Sequence, residues 1–402
     1  PGHEGHAVAL PHGPDAVETH LPDICTGCPR LDACKAGEMS CQGSRYLIDV
    51  EMCAKVTEHV VLGHESCPVA GGPVVGSFPD GVSAHIQYGD SVVKLAGILS
   101  TYGAVSCERI SELMRDLLKI SISRGTVLHM VSKCSEKVSG TLEEVRRRIA
   151  ASPVSHHDET GVRVDGKLSW VHSSSTGEFT YQTVSGRRGR VGIDENGVVP
   201  ESRGTIVHDC WAPYDGYGNV GHALCNAHLL RELNGIDDMG GGRTWTGEFR
   251  DLLLSMKSAK EEAVASGASS LGDDVLERFH ARYLEVMRLA DKECPPPPEP
   301  AVKRRGRRKR GKERALIERL AAREEQICRF VHDFAVPFDN NLAERDVRNV
   351  KTKSKVSGGF RTMGGAQDYL DVRSFIGTAR KQGIDAFTAL SAAFDGHPDI
   401  VL

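Results

Sequence analysis

Three acidic residues in short, distinctive surroundings have the strongest claim to chemistry in this chain: Asp158 in His-His-Asp-Glu-Thr, Asp209 in Val-His-Asp-Cys-Trp, and Glu344 in Asp-Asn-Asn-Leu-Ala-Glu-Arg. Three carboxylates gathered in one place can hold a pair of Mg²⁺ ions, and such a pair clamps the attacking and leaving oxygens of a phosphoryl transfer. Hard oxygen ligands select Mg²⁺ or Mn²⁺ over Zn²⁺. The pattern ends a strand Val154–His157 at Asp158 and a strand Thr205–His208 at Asp209. Sites in open α/β sheets gather at strand ends. In a strand Asp158 points with His156 and Thr160 while Glu159 faces the other way, so Asp158 is the expected ligand over Glu159 or Asp165. Asp215, the rival to Asp209, lies in a Tyr-Asp-Gly turn.

Glu344 falls on a helix that Pro337, Asp339 and Asn340 open, with Asn or Asp as N-cap. Ala343, Val347 and Val350 form an apolar stripe for packing on a sheet; Glu344, Arg348 and Lys351 form the adjacent stripe. On an isolated helix that stripe is a surface ion pair worth about 0.2–0.5 kcal/mol; beside two aspartate motifs it joins metal binding to phosphate gripping. Lys353, Lys355 and Arg361 follow on either side of a Ser-Gly-Gly turn, and with Arg348 and Lys351 they make the expected grip on DNA phosphates. From Lys303 to Arg361 there are 18 Lys or Arg against 8 Asp or Glu, whereas the rest of the chain carries 32 against 46. A basic block in an acidic chain is the footprint of a polyanion partner. Trp211, Tyr214 and Tyr217 lie just beyond Asp209, where aromatics either stack on an unpaired base or pack the core.

Sulfur chemistry is concentrated near the N-terminus. Cys25-x-x-Cys28, followed by Cys34, Cys41, Cys53, His64 and Cys67, offers enough ligands for a structural Zn²⁺, with Cys25, Cys28, Cys41 and Cys67 as the expected set. Cys225-Asn-Ala-His228 has the spacing of half a zinc site with no second pair nearby; bracing of the acidic site, through His228 near Asp209, is the other reading.

The elements that must position these residues follow from the pattern along 402 residues, a length that calls for two to four domains. Residues 1–20 have no helical or strand period and are expected to be disordered; 21–86 form a Cys-rich zinc-binding-like module. Residues 87–150 are helical, and a Lys-Ile-Ser-Ile-Ser turn before a Ser123-capped helix at Arg124–Val138 outlines either a helix-turn-helix or two packed helices. Strands are expected at Val162–Val164, Leu168–Ser173, Phe179–Val184 and Gly204–Asp209, then a helix at His222–Leu233. Helical periodicity from Thr244 to about Arg288 is broken by the proline run after Cys294, and a basic linker Lys303–Arg314 leads to a helix Ala315–His332. No apolar run approaches the roughly 20 residues that span a bilayer, and no signal-peptide core is present, so a cytoplasmic protein with no membrane partner is expected, its cysteines thiols or metal ligands.

The words HHDETGVRVDG, HDCWAPYDGY, HALCNAHLLREL, VPFDNNLAERDVR and KSKVSGGFRTMGGA stand in that order. Together they resemble the transposases of the IS66 class of bacterial insertion sequences, over the stretch from about Cys25 to about Phe394. The resemblance implies a DDE transposase: an RNase H-like α/β catalytic domain at 151–400 with a helical insertion at about 240–330, preceded by a zinc-ribbon-like module and a helical DNA-binding segment. It implies Asp158, Asp209 and Glu344 as catalytic ligands of two Mg²⁺ ions, cleavage at the element's terminal repeats, and strand transfer into target DNA. It further implies a homo-oligomer on DNA in the bacterial nucleoid, aided by accessory proteins of the same element. The family's zinc module uses two Cys-x-x-Cys pairs, and Cys67-Pro-Val-Ala70 lacks the last cysteine, so the site is either rewired through Cys34, Cys41 or His64 or degenerate. Relatives also carry a longer N-terminal helical, partly basic segment, so either a truncated reading frame or a partial chain is expected. The alternatives are a DNA-binding remnant that grips element ends without cutting, and a Mg²⁺-dependent nuclease without strand transfer.

Overall fold

The computed structural model describes residues 13–25, 27–35, 39–41, 44–48, 50, 52–240, 242–297 and 311–402. The expected disorder at 1–20 and the basic linker Lys303–Arg314 therefore fall largely outside the described residues. Two compact units are formed, Pro1–Lys55 and Val56–Leu402. The first contains a 3-10 turn at Asp23–Cys25 and a short helix α1 (Leu31–Ala33).

The second unit opens with a hairpin of β1 (Gly63–Cys67) and β2 (Gly72–Val75). Helices α2 (Asp90–Thr101), α3 (Cys107–Leu118) and α4 (Arg124–Ala151) follow. Lys119 ends α3 in the left-handed conformation, and the Ser123 hydroxyl caps α4 by accepting the Thr126 N–H at 3.0 Å, as the sequence predicts. The capped helix runs 28 residues, twice the expected span, because its apolar stripe persists: Val127, Met130, Cys134, Val138 and Leu142 are all buried. They share one core with Val93 and Ala96 of α2, with Ile110 of α3, and with Val372, Phe375 and Leu390 near the C-terminus. The helical segment is thus one packed body with the last helices.

A mixed five-stranded sheet holds the centre. Its strands are β3 (Val154–Val164), β4 (Lys167–Ser175), β5 (Thr180–Ser185), β6 (Thr205–His208) and β7 (Gly221–Leu224), in the order β5-β4-β3-β6-β7. The first three are antiparallel; β6 joins β3 in parallel and β7 joins β6 in parallel. Two short helices, α5 (Arg190–Asn196) and α6 (Val198–Glu201), separate β5 from β6. The segment read as one helix from His222 is instead β7 followed by α7 (Asn226–Asp237). Four residues are too few to show a period, and Ala223 and Leu224 are buried beside β6.

Helices α8 (Trp245–Ala265) and α9 (Asp273–Glu293) occupy the stretch read as a helical insertion, and α10 (Lys312–Ala322) and α11 (Glu324–His332) return the chain. The return is broken at Arg323, whose guanidinium pairs with Asp215. Trp245, Phe249, Leu253, Tyr283, Ile317 and Phe330 pack with α7 and with Val207 of β6, so the insertion has its own core built on the parallel side of the sheet. Three last helices close the unit: α12 (Asn341–Ser357), α13 (Met363–Lys381) and α14 (Ala386–Phe394). Val350 of α12 and Ala366, Tyr369 and Leu370 of α13 pack on Val162, Val164 and Val171. Among the described residues no helix is long and apolar enough to cross a membrane.

Asp346 ties α12 both to the sheet, through two hydroxyls, and to α13, through an ion pair. Asp346 Oδ2 accepts hydrogen bonds from Ser175 Oγ at 2.6 Å, Thr180 Oγ1 at 3.1 Å and Lys381 Nζ at 2.9 Å. Removing one partner of such a pair leaves the other charge desolvated, a loss of about 3 kcal/mol. Asp346→Ala and Lys381→Met should each lower stability by that order in urea unfolding, and the double substitution should cost clearly less than the sum. Additive losses would mean that the two side chains do not act as a pair.

Candidate functional site

Asp158 does not end its strand. Pairing of β3 with β6 stops at His156, while pairing with β4 continues to Val164. Asp158 therefore sits at the fork where β6 leaves the sheet, and Asp209 is the first residue past the end of β6. A backbone edge that diverges leaves room for two side chains between the strands.

The third acid is placed by Asn340. Of the two N-cap candidates, Asp339 accepts the Asn341 N–H at 3.0 Å, while the buried Asn340 side chain makes no cap and reaches back to β3, where Nδ2 donates to the His157 carbonyl at 2.7 Å and Oδ1 meets His156 Nδ1 at 2.9 Å. Its own N–H donates to Cys225 Sγ at 3.1 Å, and the Asn226 N–H donates to the Phe338 carbonyl at 3.0 Å. The start of α12 is thus pinned to β3 and to the β7–α7 junction, and Glu344 follows one turn later.

Asp158 feels both of the other carboxylates. Burial pushes Asp158 up to about 6, and the charges of Asp209 and Glu344 add to that rise while Lys351 opposes it. Asp209 is also raised by burial; the Trp211 N–H on its Oδ1 at 3.0 Å, His228 and Arg188 pull it back. On the other face of β3, Glu159 is buried and rises to about 7, through burial and the Asp209 charge. Arg188 answers it at 2.8 Å, and Tyr214 OH donates to it at 3.3 Å. Of the two neighbouring acids, then, Glu159 is held by protein partners, while the side chain of Asp158 meets only the N–H of Glu159 among the hydrogen bonds of the described residues.

Glu344 Oε1 has partners on α7: Arg231 Nη2 at 3.2 Å, His228 Nδ1 at 3.4 Å and Cys225 Sγ at 3.9 Å. Cys225, His228 and Arg231 recur every three residues, which puts them on one helix face; that spacing was visible in the sequence, but nothing there linked it to Glu344.

Arg348, Lys351, Lys355 and Arg361 are exposed. Lys353 departs from expectation. It is buried, its ammonium donates to the Gly358 carbonyl at 2.9 Å and lies 3.8 Å from the Phe360 ring centre, and burial lowers its pKa to about 8. It closes the end of α12 instead of facing solvent, because the Ser-Gly-Gly turn folds back onto β3: the Phe360 N–H donates to the Arg163 carbonyl at 2.8 Å, and a Cβ on Gly359 would lie 2.6 Å from that oxygen. Trp211 is half-buried, with the Arg188 guanidinium 4.2 Å from its ring centre. Tyr214 and Tyr217 are buried and pack with Ile193, Val199 and Ile206, so for these two the core reading holds.

The zinc set is divided: Cys25, Cys28 and Cys41 lie in the first unit, and Cys67 ends β1 of the second. Hydrogen bonds from the Ala70 and Val69 N–H groups lower the Cys67 thiol.

With the acids assembled, the comparison with known families becomes informative. The family model of the IS66 transposases matches residues 91–368, from α2 into α13, with all three acids inside it. The chain belongs to the transposase IS66 family. No curated protein matches it. The matched stretch includes the helical segment and the insertion, so both are parts of the family's domain.

Asp158 supplies a pH test. A carboxyl whose folded pKa lies above its ordinary 3.8 keeps its proton longer in the folded than in the unfolded state. Its contribution is therefore favourable at low pH and is lost as pH rises from 4 through about 6. In chelator, Asp158→Asn should flatten the stability profile over that window and raise stability at pH 7.5 by up to about 3 kcal/mol. An unchanged profile would mean that the fold does not raise the Asp158 pKa.

Proposed function

We propose that this transposase-family chain is a DDE enzyme that cuts DNA at the ends of an insertion element and joins the freed 3′ ends to target DNA. The observation that carries this reading is the electrostatic contact of Asp158 with Asp209 and Glu344, residues drawn from two strands and a distant helix. Strand order β5-β4-β3-β6-β7, antiparallel then parallel, supports an RNase H-like core, with the insertion entering after α7.

The donor set fits Mg²⁺ or Mn²⁺: three hard carboxylates whose mutual repulsion a cation relieves. Asp158, Asp209 and Glu344 would hold the ions, which when bound activate the attacking oxygen and stabilise the leaving one. The chain's own residues do the rest. Asn340 and the Asp346–Lys381 pair fix α12, so the carboxylates are organised before DNA arrives. Arg348 and Lys351 lie one and two turns beyond Glu344, where they meet phosphates flanking the cut. Arg188, spread between Trp170 and Trp211, neutralises Glu159 and keeps that acid out of the ligand set. Cys25 and Cys28 of the first unit have the Cys-x-x-Cys spacing of half a structural zinc site.

Asp158→Asn, Asp209→Asn and Glu344→Gln should each abolish Mg²⁺-dependent cleavage of DNA bearing the element's terminal repeats while leaving DNA binding largely intact. Cleavage that survives Asp158→Asn would sink the proposal. Arg348→Ala and Lys351→Ala should weaken specific and non-specific binding alike, each flattening the slope of log K against log salt by about 0.9. Normal binding across a salt titration would instead assign the grip to other cations.

A further inference from the structure

Glu344 has two sets of neighbours, and only one of them is the carboxylate cleft. The other is on α7. Ligand atoms of Cys225, His228 and Glu344 lie within 4.8 Å of one another, and they form the one such group of three among the described residues. Sγ is 3.9 Å and Nδ1 3.4 Å from Glu344 Oε1. Zinc bonds of about 2.0–2.3 Å in a tetrahedron place ligand atoms roughly 3.3–3.6 Å apart. The nitrogen–oxygen spacing already matches, and the sulfur–oxygen spacing is a few tenths of an ångström long.

The surroundings match a metal thiolate. The Asn340 N–H points at Cys225 Sγ from 3.1 Å, a donor that favours the deprotonated sulfur. His228 Nδ1 is sealed from solvent and has no hydrogen-bond partner in the protein, although the carboxylate oxygen is near; an ion would use its lone pair. Arg231 supplies the counter-charge to Glu344 from 3.2 Å, and its side chain is more than half exposed, so it can swing away when a cation takes its place.

We propose that Cys225, His228 and Glu344 form a second cation site, selective for thiophilic divalent ions of the zinc class, that shares Glu344 with the carboxylate cleft. Thiolate and imidazole favour Zn²⁺ and disfavour Mg²⁺, so the two sites take different ions. Binding transfers the Cys225 thiol proton to solvent and forms the sulfur–zinc bond in its place, which makes zinc affinity fall as pH falls. An occupied zinc site holds Glu344 against α7 and withdraws it from the cleft. Zinc is then an inhibitor of the proposed cleavage, a consequence that rests on the catalytic reading; the site itself does not.

The test is calorimetric titration of chelator-stripped full-length protein with zinc, in the presence of excess Mg²⁺. Zinc taken up by the N-terminal cysteines is common to every variant. Cys225→Ser and His228→Ala should each bind one equivalent fewer than wild type, whereas Asp158→Asn and Asp209→Asn should keep the wild-type stoichiometry. Zinc should also raise the melting temperature less in His228→Ala, the partly exposed position that serves if Cys225→Ser does not fold. Full wild-type stoichiometry in His228→Ala overturns the proposal. Loss of the same equivalent in Asp158→Asn also overturns it, because the ion would then lie among the carboxylates. Cleavage surviving in Asp158→Asn would remove the catalytic reading and leave the zinc result standing.

Discussion

Like charges held close together are the constraint around which this fold is arranged. Asp158 feels the charges of Asp209 and Glu344, and burial raises the cost of keeping Asp158 and Asp209 ionised. The helix bearing Glu344 is held by neutral and paired contacts on either side of the acid: Asn340 locks the first turn to the His157 carbonyl, and Asp346 locks the next to Ser175, Thr180 and Lys381. Further along, the buried Lys353 and the Gly359–Arg163 approach fix the far end of the same helix. One face of α12 is thus committed to holding position, which leaves Arg348 and Lys351 exposed beyond the acid.

The same constraint explains the two neighbouring acids on β3. Alternation turns Glu159 away from Asp158, into a pocket of Arg188 and Tyr214 that satisfies it within the protein. Asp158 is given no such partner. Charge left without an internal partner beside two further carboxylates is charge available to a cation. Glu344 has sulfur and imidazole neighbours at the start of α7, Cys225 and His228, as well as the charge it exerts on Asp158.

Much of this was legible in the residues themselves. The acids were marked by their strand and helix settings, the Ser123 cap and the antiparallel strands by local turn chemistry, and the family by five ordered motifs. What escaped depends on contacts between distant segments. Asn340 looked like an ordinary N-cap because its use of β3 is tertiary. Lys353 looked like one more surface cation because the turn that buries it closes on Arg163, far away in sequence. The strand at Gly221–Leu224 was too short to show a period, and Asp158 was set at a strand end because its polar neighbours hide the continuation to Val164. The Cys225–His228 pair, read as half a zinc site or as a brace for the acids, could not be linked to Glu344 because that acid lies 116 residues beyond His228.

The most direct measurement is anomalous diffraction from crystals of the protein grown with Mn²⁺. Manganese bound by Asp158, Asp209 and Glu344, and absent from crystals of Asp158→Asn, is the expected result. Manganese absent from that cleft, in protein that still cleaves DNA with Mn²⁺, would contradict the assignment of these three carboxylates as the catalytic centre.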